Sequence, residues 1–234
     1  MGVLVIIPAY NEAENLGKVV QDLRDNLLGV DILVVNDCSQ DATEQVALTL
    51  GVQCVSHPFN MGYAAALQTG FKFAAECDYD YIIQFDGDGQ HLASEAGRLL
   101  AVALEKHADV VIGSRFMADT GYRNSFFRSI GTRFFSALVK WLGHQKIYDP
   151  TSGLVVLSRE YYNLFARMNN YPEYPDANLL IELIRAGANV QEIPVTMKLR
   201  TAGQSMHSGI AKPIIYMVLM CYSILIVLLR RSKR

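Results

Sequence analysis

Residues 81 to 91, YIIQFDGDGQH, decide the fold expected for this chain of 234 residues. An apolar run rich in aromatic and β-branched side chains ends at Asp86 and Asp88, which are followed by Gly87 and Gly89. This pattern predicts a buried strand that delivers two carboxylates to a turn permitted by glycine. Carboxylates at the carboxyl end of a central strand lie where an open α/β sheet binds its ligand, and Mg²⁺ or Mn²⁺ takes such oxygens together with substrate phosphates. The stretch points to chemistry on a nucleotide diphosphate.

Two other interpretations of this stretch compete with a metal site. Asp-Gly is a common turn, and an isolated pair of aspartates is often only a solvated turn. A calcium-binding EF-hand loop does not fit, because the sixth position counted from Asp86 is His91 instead of glycine and the twelfth is Gly97 instead of glutamate. The stretch alone leaves the metal site and the solvated turn open.

Short β-branched runs alternate with segments of helical spacing along the chain, which predicts an α/β fold with a mostly parallel sheet and helices on both faces. The first strand is followed by PAYNE, residues 8 to 12, where a dinucleotide-binding Rossmann fingerprint would need glycines, so that fingerprint is absent. Polar clusters follow successive strands, and we expect them to converge on one crevice at the carboxyl edge of the sheet. The predicted strands cover 3–7, 32–35, 52–55, 81–85, 110–112, 154–157 and 190–195, and the predicted helices cover 12–28, 94–106, 123–142 and 175–186, with two more after Ser39 and Asn60.

Length and composition indicate one α/β domain with a short appendage. The four cysteines are scattered without a C-x-x-C pair, so neither a zinc site nor a disulfide framework is predicted, and a reducing, cytosol-facing location fits. No secretory signal is expected, because the apolar strand follows Met1 and Gly2 directly. The last five residues hold four of the 21 basic side chains, which leaves 17 against 23 acidic ones in the remainder. No basic stripe of the kind that binds nucleic acid is present in the sequence, so no nucleic-acid partner is expected.

The chain ends with an apolar segment, residues 213 to 229, which lies between Lys212 and the basic tail RRSKR. As a helix of 17 residues without a charge it would be roughly 25 Å long, the short limit for a hydrocarbon core of about 30 Å. A basic tail beside an apolar run favours an anionic membrane surface over burial in a soluble core or an oligomer interface. We therefore expect a main domain over residues 1–208 and a membrane-associated helix with a basic tail over residues 209–234.

Two further stretches carry cations. Residues 123 to 142 form an amphipathic stretch in which arginines alternate with phenylalanines; such a stretch is either a solvated surface helix or a site for a phosphate at a membrane surface. Residues 198 to 205 form a polar loop with Arg200, which is either a mobile connection or a clamp on a diphosphate.

Seven motifs in sequence order resemble the inverting GT-A glycosyltransferases of family 2, and among them the synthases that make dolichyl- or undecaprenyl-phosphate sugars. These motifs are PAYNE, NDCSQD, NMGYAAALQTG, DGDGQH, GSR, DPTSG and RTAGQS, within residues 3 to 206. The resemblance implies a GT-A fold, that is, a Rossmann-like sheet with helices on both faces, here followed by the apolar helix. It also implies a nucleoside-diphosphate sugar as donor and Mg²⁺ or Mn²⁺ as cofactor.

On the donor side, the resemblance assigns Pro8, Tyr10 and Glu12 to the nucleoside-binding turn and places Asp37 near the base. Asp86 is expected to bind the ribose or to lie beside the metal. The metal ligands implied by the resemblance are Asp86, Asp88 and Gln90.

On the acceptor side, the resemblance places Arg115 and Arg200 against donor or acceptor phosphate. Arg128 and Thr132 match the positions that hold the acceptor phosphate. Asp149 opens DPTSG and falls near the sugar, where it orients a phosphate acceptor instead of deprotonating it. The residues expected to be catalytic are Asp88, Asp149 and Arg115.

The function expected from the resemblance is inverting transfer of a sugar from a UDP- or GDP-sugar to a polyprenyl phosphate, at the cytoplasmic face of the plasma membrane, for cell-envelope glycan assembly. Short forms of these enzymes can depend on a separate partner, so a small membrane protein or a second copy of the chain is an expected partner. The alternative is a family 2 enzyme that glycosylates a hydroxyl of a saccharide or lipid-linked saccharide, in which Asp149 acts as base. A non-catalytic membrane adaptor is the third interpretation, disfavoured by the intact constellation at Asp86, Asp88 and Gln90.

Overall fold

The computed structural model describes residues 1–117, 126–198 and 211–229, and the side chains of 126–130 and 211–214 lie outside the description. Seven strands of this part of the chain form one sheet. They are β1 (Val3–Ala9), β2 (Asp31–Asn36), β3 (Gln53–Ser56), β4 (Tyr81–Gln84), β5 (Val110–Ser114), β6 (Val155–Ser158) and β7 (Val190–Pro194).

The helices described alternate with these strands over most of the chain. They are α1 (Ala13–Asn26), α2 (Thr43–Thr49), α3 (Tyr63–Glu76), α4 (Ala93–Glu105), α5 (Phe126–Gly143), α6 (Arg159–Ala166), α7 (Ala177–Arg185) and α8 (Ala211–Leu229).

The strand order is β3-β2-β1-β4-β6-β5-β7, and only β6 runs antiparallel to its neighbours β4 and β5. The prediction of a mostly parallel sheet is therefore confirmed. Because β6 runs in the opposite direction, the loop that precedes it lies at the same edge as the carboxyl ends of β4 and β5. This direction brings residues 149–153 to the polar edge of the sheet.

The sheet buries apolar side chains on both faces, as predicted for helices packed on both sides. β1 lies between β2 and β4 and is buried along its whole length, which explains its continuous apolar run. On one face the apolar stripe of α1, with Leu16, Val20 and Leu23, packs with residues of α4. On the other face α3 lies close to β1, because a Cβ at Gly70 would overlap the Ile6 side chain. The small residues of α3 thus serve helix-to-sheet packing.

Ser39 does not cap α2. Its Oγ accepts the Asn11 N–H at 3.0 Å, whereas Asp41 Oδ1 accepts the N–H of Thr43, the first residue of α2, at 3.0 Å. The short helix α6, which was not predicted, follows β6 without a loop.

The C-terminal helix α8 has one buried and one exposed face. Met220, Ile224 and Val227 are buried in the core cluster that also contains residues of α7, whereas Val218 and Leu225 are exposed. Within the described ranges, no helix is long and apolar enough to cross a membrane. The predicted domain boundary between residues 208 and 209 falls in the segment 199–210, outside the described residues.

Candidate active site

The turns after β1 and β2 are fastened to each other at the carboxyl edge of the sheet. Gln40 N–H donates to Asn11 Oδ1 at 2.7 Å, and Glu12 N–H donates to Thr43 Oγ1 at 2.9 Å. Pro8 is buried within β1, and Tyr10, just beyond the strand, is 47 % exposed. The predicted nucleoside-binding turn is therefore a fixed loop that presents an accessible aromatic ring.

Asp37, predicted to lie near the base, is almost completely buried. Its Oδ1 accepts the Met61 N–H at 2.8 Å and lies 2.7 Å from His57 Nδ1, and its Oδ2 accepts the Gly62 N–H at 2.8 Å. The other His57 nitrogen lies 2.9 Å from Thr69 Oγ1. This carboxylate holds the start of α3 in place, and a contact with the base stays a prediction.

Asp86 lies at the centre of the edge, directly after β4. Its Oδ1 accepts the Tyr63 hydroxyl at 2.8 Å, and that hydroxyl in turn accepts Gln84 Nε2 at 2.9 Å. Burial and the Asp86 charge raise the pKa of Tyr63 well above its usual value, so the phenol remains a hydrogen-bond donor. A Cβ at Gly153 would overlap Asp86 Oδ2, which explains the glycine of the DPTSG loop.

The turn from Asp88 to Gln90 is folded on itself. Gln90 N–H donates to Asp88 Oδ1 at 3.1 Å, and Gly89 has the positive φ of 74° that its place in the turn requires. Lys198 N–H donates to the Gln90 carbonyl at 2.8 Å, so the segment that follows β7 contacts the turn. Both metal ligands implied for this turn thus lie next to Asp86 in sequence and at one edge of the sheet.

The side chains of this turn suit a hard divalent cation whose remaining ligands are oxygens of the substrate. Within the described part of the chain, no three His, Cys, Asp or Glu side chains form a cluster able to hold a metal by themselves. Asp86 and Asp88 supply two carboxylates and Gln90 supplies an amide oxygen. Mg²⁺ is usually held by one or two carboxylates together with substrate phosphates, so these residues match that arrangement.

Arg115 and Asp149 form a buried ion pair. Arg115 Nε and Nη2 donate to Asp149 Oδ2 and Oδ1 at 2.6 and 2.8 Å, and the Arg115 N–H donates to Oδ2 at 3.0 Å. Asp149 is fully buried, and the Arg115 side chain is 15 % exposed. The two residues were predicted to act on phosphate and on sugar, and the structure brings them together as partners.

Two carboxyl groups that the sequence did not single out lie near this pair. Glu192 of β7 accepts the N–H groups of Tyr148 and Asp149 at 2.8 and 2.7 Å, and burial raises its pKa. Asp176, just before α7, lines the same crevice as Asp149, and burial raises its pKa to about 6. Neither residue belongs to a recognisable local motif, which is why sequence reasoning missed them.

The predicted acceptor residues are only partly described. Thr132 lies in α5 and is buried. The backbone of Arg128 lies in the same helix, with its side chain outside the described residues, and Arg200 lies wholly outside them. Their predicted phosphate contacts stay predictions.

Comparison with known proteins identifies the family of this site. The sequence profile of Glycosyl transferase family 2 matches residues 4–165, which include Asp37, Asp86, Asp88 and the Arg115–Asp149 pair. The chain belongs to glycosyl transferase family 2. The resemblance deduced from the seven motifs is therefore confirmed.

Two relatives of this glycosyltransferase have names that refer to a polyprenyl phosphate or to a phosphorylated polyprenol sugar. The undecaprenyl-phosphate mannosyltransferase of Micrococcus luteus is 38 % identical over 226 residues, covering 89 % of this chain and 88 % of the relative. The polyprenol monophosphomannose synthase of Mycolicibacterium smegmatis is 31 % identical over 215 residues, covering 88 % and 81 %.

Solved structures confirm the GT-A-like fold of this family 2 chain. Glucosyl-3-phosphoglycerate synthase of Mycobacterium tuberculosis, in complex with phosphoglyceric acid, has a TM-score of 0.67 at 19 % identity, over 95 % of this chain and 79 % of that one. The same enzyme with Mn²⁺, UDP and its product has a TM-score of 0.65 at 18 % identity, over 97 % and 78 %.

Proposed function

We propose that this family 2 glycosyltransferase transfers a sugar from a UDP- or GDP-sugar to a polyprenyl phosphate, with inversion at the anomeric carbon. The observation that carries the proposal is the close approach of the Asp86 carboxylate to Gly153, in the loop 149–153 that also carries Asp149, the partner of Arg115. The names of the relatives from Micrococcus and Mycolicibacterium support the lipid-phosphate acceptor.

The donor diphosphate binds at the turn after β4. Asp86, Asp88 and Gln90 are the residues that would hold Mg²⁺ or Mn²⁺ there, and a bound cation would supply positive charge for the diphosphate as it leaves. The exposed ring of Tyr10 lies at the same edge and is available to stack on the nucleoside base.

The hydrogen bonding of Asp149 favours a phosphate acceptor over a hydroxyl acceptor. A hydroxyl must lose its proton to a base during attack, whereas a phosphate dianion is already a nucleophile near neutral pH. Both Asp149 oxygens accept hydrogen bonds from the Arg115 guanidinium, so both are already engaged within the protein and neither is directed at an acceptor hydroxyl. The site therefore suits alignment of an existing anion for in-line attack better than proton abstraction.

The acceptor approaches from a membrane surface in this proposal. The exposed face of α8 is apolar at Val218 and Leu225, and the chain ends in the basic tail RRSKR. Apolar contact together with attraction to anionic lipid headgroups holds a helix at a bilayer interface. We place the enzyme at the cytoplasmic face of the plasma membrane, where it feeds cell-envelope glycan assembly, with a small membrane protein or a second copy as its partner.

Transfer of labelled sugar into lipid tests this proposal. Membranes that contain the protein are incubated with undecaprenyl phosphate, Mn²⁺ and radiolabelled UDP- or GDP-sugars, and label is counted in the organic extract. We expect lipid-bound label that a chelator abolishes and that Asp88→Ala lowers by about a thousandfold, since several kcal/mol of charge stabilisation are lost.

The control variant is Asp25→Ala, which removes an exposed aspartate of α1 whose carboxylate accepts the Gln21 side-chain amide of the same helix, and it should leave transfer unchanged. Label in a water-soluble or lipid-linked oligosaccharide, with none in a lipid phosphate, would contradict the proposed acceptor. Labelled lipid that is indifferent to Asp88→Ala would contradict the proposed donor site.

A further inference from the structure

Asp176 is a carboxylate of the crevice to which the transfer reaction so far assigns no role. It lines the same cavity as Gln84 and Asp149. The charges of Arg115, Asp149 and Asp86 all act on its carboxyl group, so it belongs to the same electrostatic cluster as the donor site.

Local structure does not explain the Asp176 side chain. An aspartate directly before a helix usually caps it by accepting a backbone N–H of the first turn. Asp176 precedes Ala177 of α7 but makes no such side-chain bond. Its Oδ2 instead accepts the hydroxyl of Tyr216 of α8 at 2.7 Å, so two helices fix the direction of this carboxylate.

Within the described ranges the Asp176 carboxylate also forms no ion pair, and the Arg115 guanidinium pairs with Asp149. A half-buried carboxylate with one neutral hydrogen bond is costly to keep, and such groups are concentrated at functional sites.

The charges of the substrates decide which of their parts Asp176 can meet. The diphosphate and the acceptor phosphate are anionic, and a second anion would be repelled. The hexose ring is neutral and rich in hydroxyl donors, and a carboxylate oxygen is a strong acceptor for such groups. Of the hexose, the diphosphate and the acceptor phosphate, the hexose complements this wall of the crevice.

We propose that Asp176 binds the hexose of the donor by accepting hydrogen bonds from its hydroxyls, and that Tyr216 positions the carboxylate for this contact. The inference rests on the proposed nucleotide-sugar donor and adds the residue that selects the sugar. Because Tyr216 belongs to α8, the helix with the apolar outer face also forms part of the sugar site.

Calorimetric binding without any acceptor tests the inference. UDP, GDP, UDP-glucose, UDP-N-acetylglucosamine and GDP-mannose are titrated into the full chain with Mn²⁺. For Asp176→Asn we expect the Kd of the preferred conjugate to rise at least about tenfold, since charge-assisted hydrogen bonds weaken to neutral ones. The Kd of the free nucleotide should stay within about twofold of the wild-type value. The differences in Kd among the three nucleotide sugars should become smaller.

Two variants of α8 give a matched comparison. Tyr216→Phe removes the hydroxyl that holds Asp176, and we expect a rise of about threefold to tenfold in the Kd of the conjugate. Ser223→Ala removes a second hydrogen bond between these helices, from Asn178 Nδ2 to Ser223 Oγ at 2.6 Å, and should leave the Kd unchanged.

Each contrary result has a separate meaning. Equal weakening of free nucleotide and conjugate in Asp176→Asn would make Asp176 a structural residue and overturn the inference. Unchanged binding of the conjugate, with a fall in kcat alone, would overturn it in favour of a proton-transfer role. Wild-type protein that binds no conjugate would overturn the donor proposal itself, and this inference with it.

Discussion

Asp37 and Asp176 are two carboxylates withdrawn from bulk water near the same edge of the sheet, and they differ in how many hydrogen bonds the protein donates to them. Asp37 accepts two backbone N–H groups of the loop 57–62 and pairs with the His57 ring. Asp176 accepts one hydroxyl, from Tyr216, and burial raises its pKa to about 6. The first carboxylate is satisfied by the protein, and the second leaves bonding capacity for a ligand.

This difference separates scaffold from site. A carboxylate with several N–H donors stabilises the loop around it, because folding replaces its water contacts with charge-assisted hydrogen bonds. A carboxylate withdrawn from water with only one partner lowers the stability of the fold. A protein retains such a group where ligand binding depends on it. The Arg115–Asp149 pair lies between the two cases, since its charges satisfy each other.

The largest effect is expected from breaking that pair. Arg115→Met leaves Asp149 buried without a cation, and we expect the free energy of unfolding to fall by about 4 kcal/mol. Urea unfolding at pH 7.5 measures the change. Lys198→Met, which removes a pair at 3.7 Å between the more than half-exposed Lys198 side chain and Asp22, is the control and should cost less than about 1 kcal/mol. Similar losses for both variants would contradict the assignment of Asp149 as a fully desolvated partner.

Removal of the satisfied carboxylate should come next. Asp37→Ala deletes the acceptor of two backbone N–H groups and of His57, and we expect a loss of about 3 kcal/mol in the same assay. A loss below about 1 kcal/mol would show that Asp37 is not part of the scaffold, and would return it to a purely nucleotide-binding role.

Removal of the unsatisfied carboxylate should act in the other direction. Asp176→Asn is expected to raise the free energy of unfolding by about 2 kcal/mol at pH 7.5, which corresponds to a Tm increase of several degrees. The pKa of about 6 in the folded state lies above the usual aspartate pKa of 3.8. The folded state therefore binds more protons between those values, and the cost of ionising Asp176 grows as pH rises from about 4 to 6.

Unfolding at pH 4.5 and 7.5 checks the sign of this effect. The stabilisation by Asp176→Asn should shrink at the lower pH, where the wild-type carboxyl is largely protonated in the folded state. Stabilisation of equal size at both pH values would contradict the raised pKa. Destabilisation at pH 7.5 would show that Asp176, like Asp37, stabilises the fold.

The smallest effect should come from the hydroxyl that holds Asp176. Tyr216→Phe loses one hydrogen bond to a carboxylate, and we expect a loss of about 1 kcal/mol in urea unfolding. Ser223→Ala loses one bond between the same helices and should cost about the same, although only Tyr216→Phe should weaken binding of the sugar conjugate. Equal effects on conjugate binding would remove the distinction between the two contacts.

The scaffold was largely predictable from the sequence, because it is encoded by local periodicity. The continuous apolar run of β1 and the three- and four-residue spacing in α1 predict these elements to within about two residues. The direction of β6 was not predictable, since a short apolar run is the same in either direction. α6 was missed because a helix of eight residues that follows a strand directly has too few turns to show a period.

The site was predictable only where its residues belong to motifs. Asp86 and Asp88 follow a strand in an identifiable turn, whereas the partner of Asp149 lies 34 residues away in the chain. Asp176 and Tyr216 are 40 residues apart, and neither has a neighbour that marks it as functional. Contacts of this kind depend on the order and direction of the strands, which the sequence pattern leaves open.

The measurement that tests the proposed function most directly is the structure of the reaction product. NMR spectroscopy of the purified product identifies both the atom to which the sugar is attached and the configuration of its anomeric carbon. We predict a phosphodiester between the anomeric carbon and the polyprenyl phosphate, with the configuration opposite to that of the donor. A glycosidic bond to a hydroxyl group, or a retained configuration, would contradict it.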